Sequence, residues 1–441
     1  MKNFFFINFI LIHQFILINA QESIFSKNFN SDITLIILVF FISIITTIGG
    51  VGGGGILIPT YVLLGKFELK HAIPLSVFTI LGDTFIRSIL LFNKKHPFNS
   101  KRFLIDITPL LLLVPFDANT SFFGVIMSKT LPSIFTLIMI IIVLGVTFIK
   151  SIIKALHTYN KETEYINNKN DTQLIIIDGI GQYFNYNDLD KEIVNDLEKA
   201  NNNHDISIPI DNNSKLNDNY SIQIKKTLFL FFTILTVSSF SISRQYIDKC
   251  SIFYWLHLIL QFCIISSIGV IIFFFVKKDY LNKRENNYPF VNGDIIWNNT
   301  NIFKFIIIAS ITGMLSTYMG IGGGMLTTPI MIQVGMIPEV VVATTSISTF
   351  FSSLITSINY LCDGTLILDY GIAFLISSAL GSIIGLEISN KLLIMFNRQS
   401  FIIFFVAIIV FTSIILLITN SILDTSFVFK FYNFCEIKNN N

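Results

Sequence analysis

Ten apolar stretches dominate the chain, at about 33–64, 71–92, 103–127, 131–156, 227–243, 252–276, 303–332, 339–361, 366–389 and 400–419. Each supplies the ~20 residues that a helix needs to cross a ~30 Å hydrocarbon layer. Inside lipid every backbone N–H and C=O must find a partner within the protein, so these segments are predicted to be helices. The expected fold class is therefore an all-α polytopic membrane protein of about ten hydrophobic segments. Only 13% of residues are charged and mean hydropathy is +0.68, whereas soluble domains carry ~25% charged residues. A net charge of +2, spread over short loops, gives no footprint for a nucleic-acid partner.

The first and seventh stretches exceed the length of one span, and both contain glycine phrases. One runs Gly49-Gly50-Val51-Gly52-Gly53-Gly54-Gly55 and on to Pro59; the other runs from Gly320 through Gly322-Gly323-Gly324 to Pro329. A helix broken at each phrase fits better than one straight rod. Sliding the chain by 270 residues lays Gly50, Gly52, Gly53, Gly54 and Pro59 on Gly320, Gly322, Gly323, Gly324 and Pro329. The register continues through Gly65 with Gly335, Ser76 with Ser346, and Thr79 with Thr349. A shift of 261 pairs Ala118 with Ala379, Ser121 with Ser382, and Gly124 with Gly385. An ungapped Gly/Pro register of this length marks a duplicated unit, hence two repeated halves.

A freed helix start carries spare N–H groups and about half a positive charge, which suits an anion. If Pro59 and Pro329 lie near the first turn of each restarted helix, the amides of Gly52, Gly53, Gly54, Gly55 and of Gly322, Gly323, Gly324 form a midplane anion cradle. Close packing of small residues is the plain alternative. Hydroxyls of Ser76, Thr79, Thr327, Thr328, Thr345, Ser346 and Thr349 are candidate donors to an oxyanion; helix-to-helix hydrogen bonding is their plain role. Asp83 and Arg87 stand four apart on one helix face, where they can neutralise each other, and Arg87 is a candidate counter-charge. Asp83, Asp117 and Glu387 are candidate coupling residues, because an ionisable group within a span is costly.

The glycines are not followed by Lys-Ser/Thr, which excludes a nucleotide-binding P-loop. Asp83, Asp117, His71 and His96 lack the spacing of a metal enzyme or intramembrane protease. Cys250, Cys263, Cys362 and Cys435 are scattered, so neither a metal site nor a disulfide framework is expected. No enzymatic activity, cofactor or metal is expected. The partners are a small anionic solute and the bilayer, and self-association is compatible with the chain.

Residues 1–20 read as a signal peptide, with Lys2, an apolar core and Ala20, which implies delivery through the secretory pathway to an unspecified membrane. Residues 33–157 form an N-terminal transmembrane half and 158–225 an Asn-rich, largely disordered linker. Residues 226–420 form the C-terminal half, with the second repeat from about 303, and 421–441 a tail. Lys94, Lys95, Lys101 and Arg102 favour a cytoplasmic loop, whereas a cleaved signal followed by plain counting puts that loop outside. A re-entrant or doubly crossing first segment removes the conflict. Orientation, and parallel against inverted repeats, stay open on the sequence. A channel, or a scaffold acting through the linker, are the rival functions to a transporter.

The paired Gly-x-Gly-Gly-Gly phrases ending in Pro resemble those of the sulfite exporter TauE/SafE family, the domain-of-unknown-function 81 permeases. Ala343-Thr344-Thr345-Ser346 and Ala379-Leu380-Gly381-Ser382-Ile383-Ile384-Gly385 extend the likeness across about 303–419. The N-terminal likeness covers about 33–127, with Pro74-Leu75-Ser76 where the Ala-Thr-Ser type of run stands. The resemblance implies export or exchange of small anions, often sulfur oxyanions or organosulfonates such as sulfite or sulfoacetate; for a transporter of two halves, alternating access would come from movement of one half against the other.

Overall fold

A computed structural model describes residues 29–50, 52–96, 99–168, 220–248, 250–285, 294–396 and 400–423. The signal-peptide reading, most of the linker and most of the tail lie outside these residues. In chain order the helices are α1 (Phe29–Gly49), α2 (Gly54–Leu63), α3 (Leu69–Phe92), α4 (Ile107–Thr130), α5 (Ser133–Asn168), α6 (Tyr220–Ser243) and α7 (Ile252–Glu285). They continue as α8 (Asn299–Met319), α9 (Gly323–Val334), α10 (Pro338–Cys362), α11 (Leu368–Phe396) and α12 (Ser400–Leu423). Between α3 and α4 runs a small antiparallel ribbon of β1 (Lys95–His96) and β2 (Asn99–Phe103). Among the described residues ten helices are long and apolar enough to cross a membrane, which agrees with the ten apolar stretches.

Both long segments break where the glycines stand. Gly50, Gly52 and Gly53 have φ of 66–74°, and Gly320 and Gly322 have φ of 67° and 75°, a region that costs a side chain about 1–2 kcal/mol. Pro59 and Pro329 fall inside α2 and α9, not in their first turns. The helices restart at the glycines themselves, because Gly53 and Gly322 at the N-caps absorb the turn that the prolines were expected to mark.

Contacts at the helix ends fix their directions. His71 Nδ1, in the first turn of α3, lies 2.9 Å from the Thr365 carbonyl just past α10, and Lys94, past the end of α3, donates to Asn390 of α11 at 2.6 Å. Helices α3 and α10 therefore run antiparallel, although they are repeat equivalents. Phe67 after α2 packs edge-on to Tyr370, and Tyr370 also donates to Asp32 at the start of α1. So α1 and α2 form a hairpin that enters and leaves at one end of the molecule, and α8 and α9 do the same from the other. The repeats are inverted.

The packing is crosswise. Helix α1 lies mainly on α11, and α8 mainly on α4, so each repeat lends its first helix to the other. A Cβ on Gly385 would stand 2.7 Å from the Ile44 carbonyl and 2.8 Å from Thr47 Cβ; on Gly124 it would stand 2.5 Å from the Met314 carbonyl and 2.8 Å from Thr317 Cβ. These partners are themselves 270 residues apart, so both registers read from sequence describe one repeated contact.

Two boundaries differ from expectation. Helix α5 continues to Asn168, past the expected start of the linker, because it packs along α12, where Ser400 N donates to Glu162 at 3.2 Å. Helix α7 runs on to Glu285, past the apolar stretch 252–276, and Asp279 pairs there with Lys226 at 2.8 Å and Lys283 at 3.7 Å. Charged faces paired in this way keep a helix going beyond its apolar part. Cys250, expected to be unpaired, is disulfide-bonded.

Candidate functional site

The two breaks meet. A Cβ added to Gly54 would lie 2.5 Å from both the Gly320 carbonyl and Ile321 Cα, so the phrases touch backbone to backbone. Equivalent parts of inverted repeats meet on the pseudo-two-fold axis, which for such repeats lies in the membrane plane. Ser76 on α3 ties the junction by donating to the Gly320 carbonyl at 2.7 Å. Ile80, fully buried, sits between the breaks: a Cβ at Gly52 would be 3.2 Å from its Cγ2 and one at Gly322 2.9 Å from its Cδ1.

The halves then diverge. In the first, Gly53 is packed on Thr46, and Gly55 on Ser413 and Met325. Thr79 donates to the Leu75 carbonyl at 2.8 Å and shares a 2.7 Å hydrogen bond with the Tyr61 hydroxyl. This break is closed. In the second half Tyr61 is replaced, at the 270-residue displacement, by Met331, which has no hydroxyl to offer. Thr349, the counterpart of Thr79, is 1% exposed, and its hydroxyl has no hydrogen-bond partner. Its Oγ1 would stand 2.6 Å from a Cβ on Gly324, so it is aimed at the first turn of α9.

Around Gly323 the packing loosens: the nearest atoms to a Cβ there would be Ser352 Oγ at 3.6 Å and Asp117 Oδ2 at 3.7 Å. The Ser352 hydroxyl interacts with the Asp117 carboxyl, whose Oδ1 is buried without a hydrogen-bond partner. The first amides of a helix have no intrahelical acceptor, so α9 turns spare N–H groups and the positive end of its dipole toward this space. Amides, one free hydroxyl and one carboxyl thus converge at a single helix start.

Other expected residues lie elsewhere or are already engaged. Thr327 donates to the Gly323 carbonyl at 2.9 Å, and Thr328 donates to Thr345 at 3.1 Å. Thr345 itself donates to the Val341 carbonyl at 2.8 Å and Ser346 to the Val342 carbonyl at 2.6 Å. Arg87 is fully buried and pairs with Asp83 at 3.0 Å, while Thr47 donates to Asp83 Oδ1 at 2.7 Å. Along α3, Asp83 stands three residues and Arg87 seven residues beyond Ile80, roughly 5 and 10 Å of helix rise. Glu387 faces outward at 67% side-chain exposure and pairs with Lys391 at 3.1 Å. Ser352 was absent from the expected set. Its counterpart is Gly82, and the counterpart of Asp117 at the 261 displacement is Ser378, so a change of polarity between matched positions was the signal available.

Broken helices that meet at the axis of two inverted repeats define a polytopic helical membrane protein of the kind that builds its site from half-helices. Comparison with known proteins finds one family similar to this chain. The family model described as "Sulfite exporter TauE/SafE" matches residues 219–416. Sulfite exporter TauE/SafE family protein 1 of Arabidopsis thaliana is 26% identical over 386 residues, 87% of this chain and 82% of that protein. Family protein 3 of the same plant is 27% identical over 88% of this chain and 78% of its own length. No solved structure matches. Over residues 219–416 the chain is therefore similar to the sulfite exporter TauE/SafE family, a family of membrane exporters of sulfur anions.

Proposed function

We propose that this chain is a secondary transporter that exports or exchanges small anions, sulfite or a related sulfur oxyanion or organosulfonate, by alternating access around the start of α9. The observation that carries this reading is the unpartnered, buried Thr349 hydroxyl at the first turn of α9. A buried donor left unsatisfied costs about 1–3 kcal/mol, and an oxyanion on the α9 amides would recover it. Because the first-half break is closed by Tyr61, one site per chain is expected, and the inverted hairpins would expose it to each side in turn.

Flux of radiolabelled sulfite, sulfate and organosulfonates into proteoliposomes tests the reading. Saturable exchange of one of these anions supports it; unlimited conductance would point to a channel, and movement of only cations or neutral solutes would sink it. Thr349→Val is expected to raise the half-saturation concentration for the transported anion about tenfold, the equivalent of ~1.4 kcal/mol. Thermal unfolding of the same variant should show stability unchanged or slightly raised, since the lost hydroxyl had no partner in the empty protein.

The membrane setting follows from where the helix ends lie. Lys94, Lys95, Arg102, Lys226, Lys277, Lys278, Lys283 and Arg284 share the end at which α3 finishes. The disulfide-bonded Cys250 belongs to the opposite end, between α6 and α7. The positive-inside tendency puts the first end in the cytoplasm, and a disulfide suits an oxidising exterior or lumen. Because the first hairpin makes no net crossing, a signal sequence cleaved on the outer side is compatible with this orientation. The sequons at Asn170, Asn212, Asn219 and Asn298 would then all be cytoplasmic. They are expected to stay unglycosylated in a eukaryotic host, while a sequon inserted beside Cys250 should be modified. Glycan on any of the four would reverse the orientation.

A further inference from the structure

We infer that Asp117 is the proton-coupling residue of the anion site: its carboxyl faces the same small space as the α9 amides, so each anion moves together with one proton bound at Asp117. The inference rests on reading the start of α9 as the anion site. Asp117 is 4% exposed, its Oδ1 is without a hydrogen-bond partner, and its Oδ2 lies at the open flank of Gly323. Gly313 on α8 makes this possible, because a Cβ there would stand 2.5 Å from Asp117 Oδ1. Among the described residues no Lys or Arg forms an ion pair with Asp117.

An ionised Asp117 is a resident anion at a helix start, where the dipole favours negative charge. A substrate anion at the same turn adds a second negative charge within a few ångströms in a poorly screened interior. Two like charges so placed repel strongly enough that one must be neutral. Proton uptake by the Asp117 carboxylate achieves this as the anion enters, and the proton leaves again as the anion is released. For a monoanion the loaded site gains no net charge.

Other titratable groups on the elements packed against α4 stand away from this position. Helix α9 carries none. Lys226 on α6 and Asp279 on α7 pair with each other at one end, where Glu339 of α10 lies near Lys94 and Lys304 of α8 is exposed. At the other end Arg244 lies over the Phe122 ring and interacts with Tyr254, Cys362 and Asp363, while Tyr360 donates to the Thr317 carbonyl and His257 meets Ser243. Tyr318 adjoins Gly124, two turns along α4. In the first half Ser378 takes the place of Asp117 and donates to the Thr79 carbonyl at 2.7 Å, so no second coupling group is present by symmetry.

The test uses the full-length protein in proteoliposomes and labelled isethionate, a sulfonate that stays a monoanion across the working pH range. An inward tenfold proton gradient is expected to sustain about a tenfold accumulation, and a membrane potential at matched pH to sustain none. Asp117→Asn, which fixes a neutral side chain, should exchange these responses: accumulation follows the potential and ignores the proton gradient. Accumulation driven by potential alone in the unaltered protein would overturn the inference, as would pH-driven accumulation by Asp117→Asn equal to that of the unaltered protein. If the Asn variant does not fold, Asp117→Ser, matching the first-half Ser378, serves in its place, and the electroneutrality of the unaltered protein decides independently. The anion site itself fails by a different result, an unchanged half-saturation concentration in Thr349→Val.

Discussion

Asp83→Ala is expected to destabilise the protein by about 3–5 kcal/mol, the largest effect of any single side chain considered, read as a fall in unfolding temperature in detergent. The cause lies in what remains. Arg87 has no solvent exposure, and its guanidinium lies 3.0 Å from the Asp83 carboxylate, with no other hydrogen-bond partner for its nitrogens. Removing Asp83 leaves a guanidinium buried without compensation, and Thr47 loses the acceptor it meets at 2.7 Å. Replacing both members together is far milder, because a buried ion pair contributes little beyond its own desolvation. Asp83→Ala with Arg87→Leu should therefore recover most of the stability lost in Asp83→Ala alone. If the double variant is as unstable as the single one, Asp83 matters through the helix contacts around it and not through Arg87.

Gly54→Ala is the second large effect, and it should abolish saturable anion flux as well as lower stability. The new methyl would stand 2.5 Å from the Gly320 carbonyl and Ile321 Cα and 2.6 Å from the Ile321 carbonyl carbon. All three are backbone atoms of the opposite break, so no rotamer change relieves the overlap and the two hairpins must separate. Overpacking in a tight core costs about 1–3 kcal/mol, and backbone displacement adds to it. Gly323→Ala is the matched control, since its nearest neighbour would be 3.6 Å away. Its unfolding temperature should stay close to that of the unaltered protein. Equal losses in both variants would mean that close approach of the breaks is not what the glycines provide.

Much of this architecture was legible in the chain. Span positions follow from the length of the apolar runs, and the breaks follow from glycines that no straight span tolerates in such numbers. The ungapped displacement of 270 residues identified the repeat, and the structure realises it in the paired contacts of Gly124 and Gly385. Inversion was not legible, because the run 33–64 has the same hydropathy whether it crosses the membrane or doubles back. It took the Phe67–Tyr370 and His71–Thr365 contacts to decide. The polar site was only half legible. Matching residues between halves drew attention to hydroxyls such as Thr327, Thr328, Thr345 and Ser346, which spend their donors on other protein oxygens. What distinguishes the α9 start is where the halves disagree, at Met331 in place of Tyr61, Ser352 in place of Gly82, and Asp117 in place of Ser378.

The crosswise lending of α1 and α8 has a consequence for synthesis. Helix α1 leaves the ribosome more than three hundred residues before α11, yet Ser377 of α11 donates to the Ile36 carbonyl at 2.7 Å and Tyr370 reaches Asp32 at 3.2 Å. Neither half can finish its own packing from its own residues. The first hairpin can pair early with α3, through Tyr61 with Thr79 and Thr47 with Asp83, but its face toward α11 must wait until nearly the whole chain has followed, a long-range closure that makes assembly slow and late. The backbone of its break, which meets Gly320 and Ile321 only in the finished fold, lacks that partner throughout the interval.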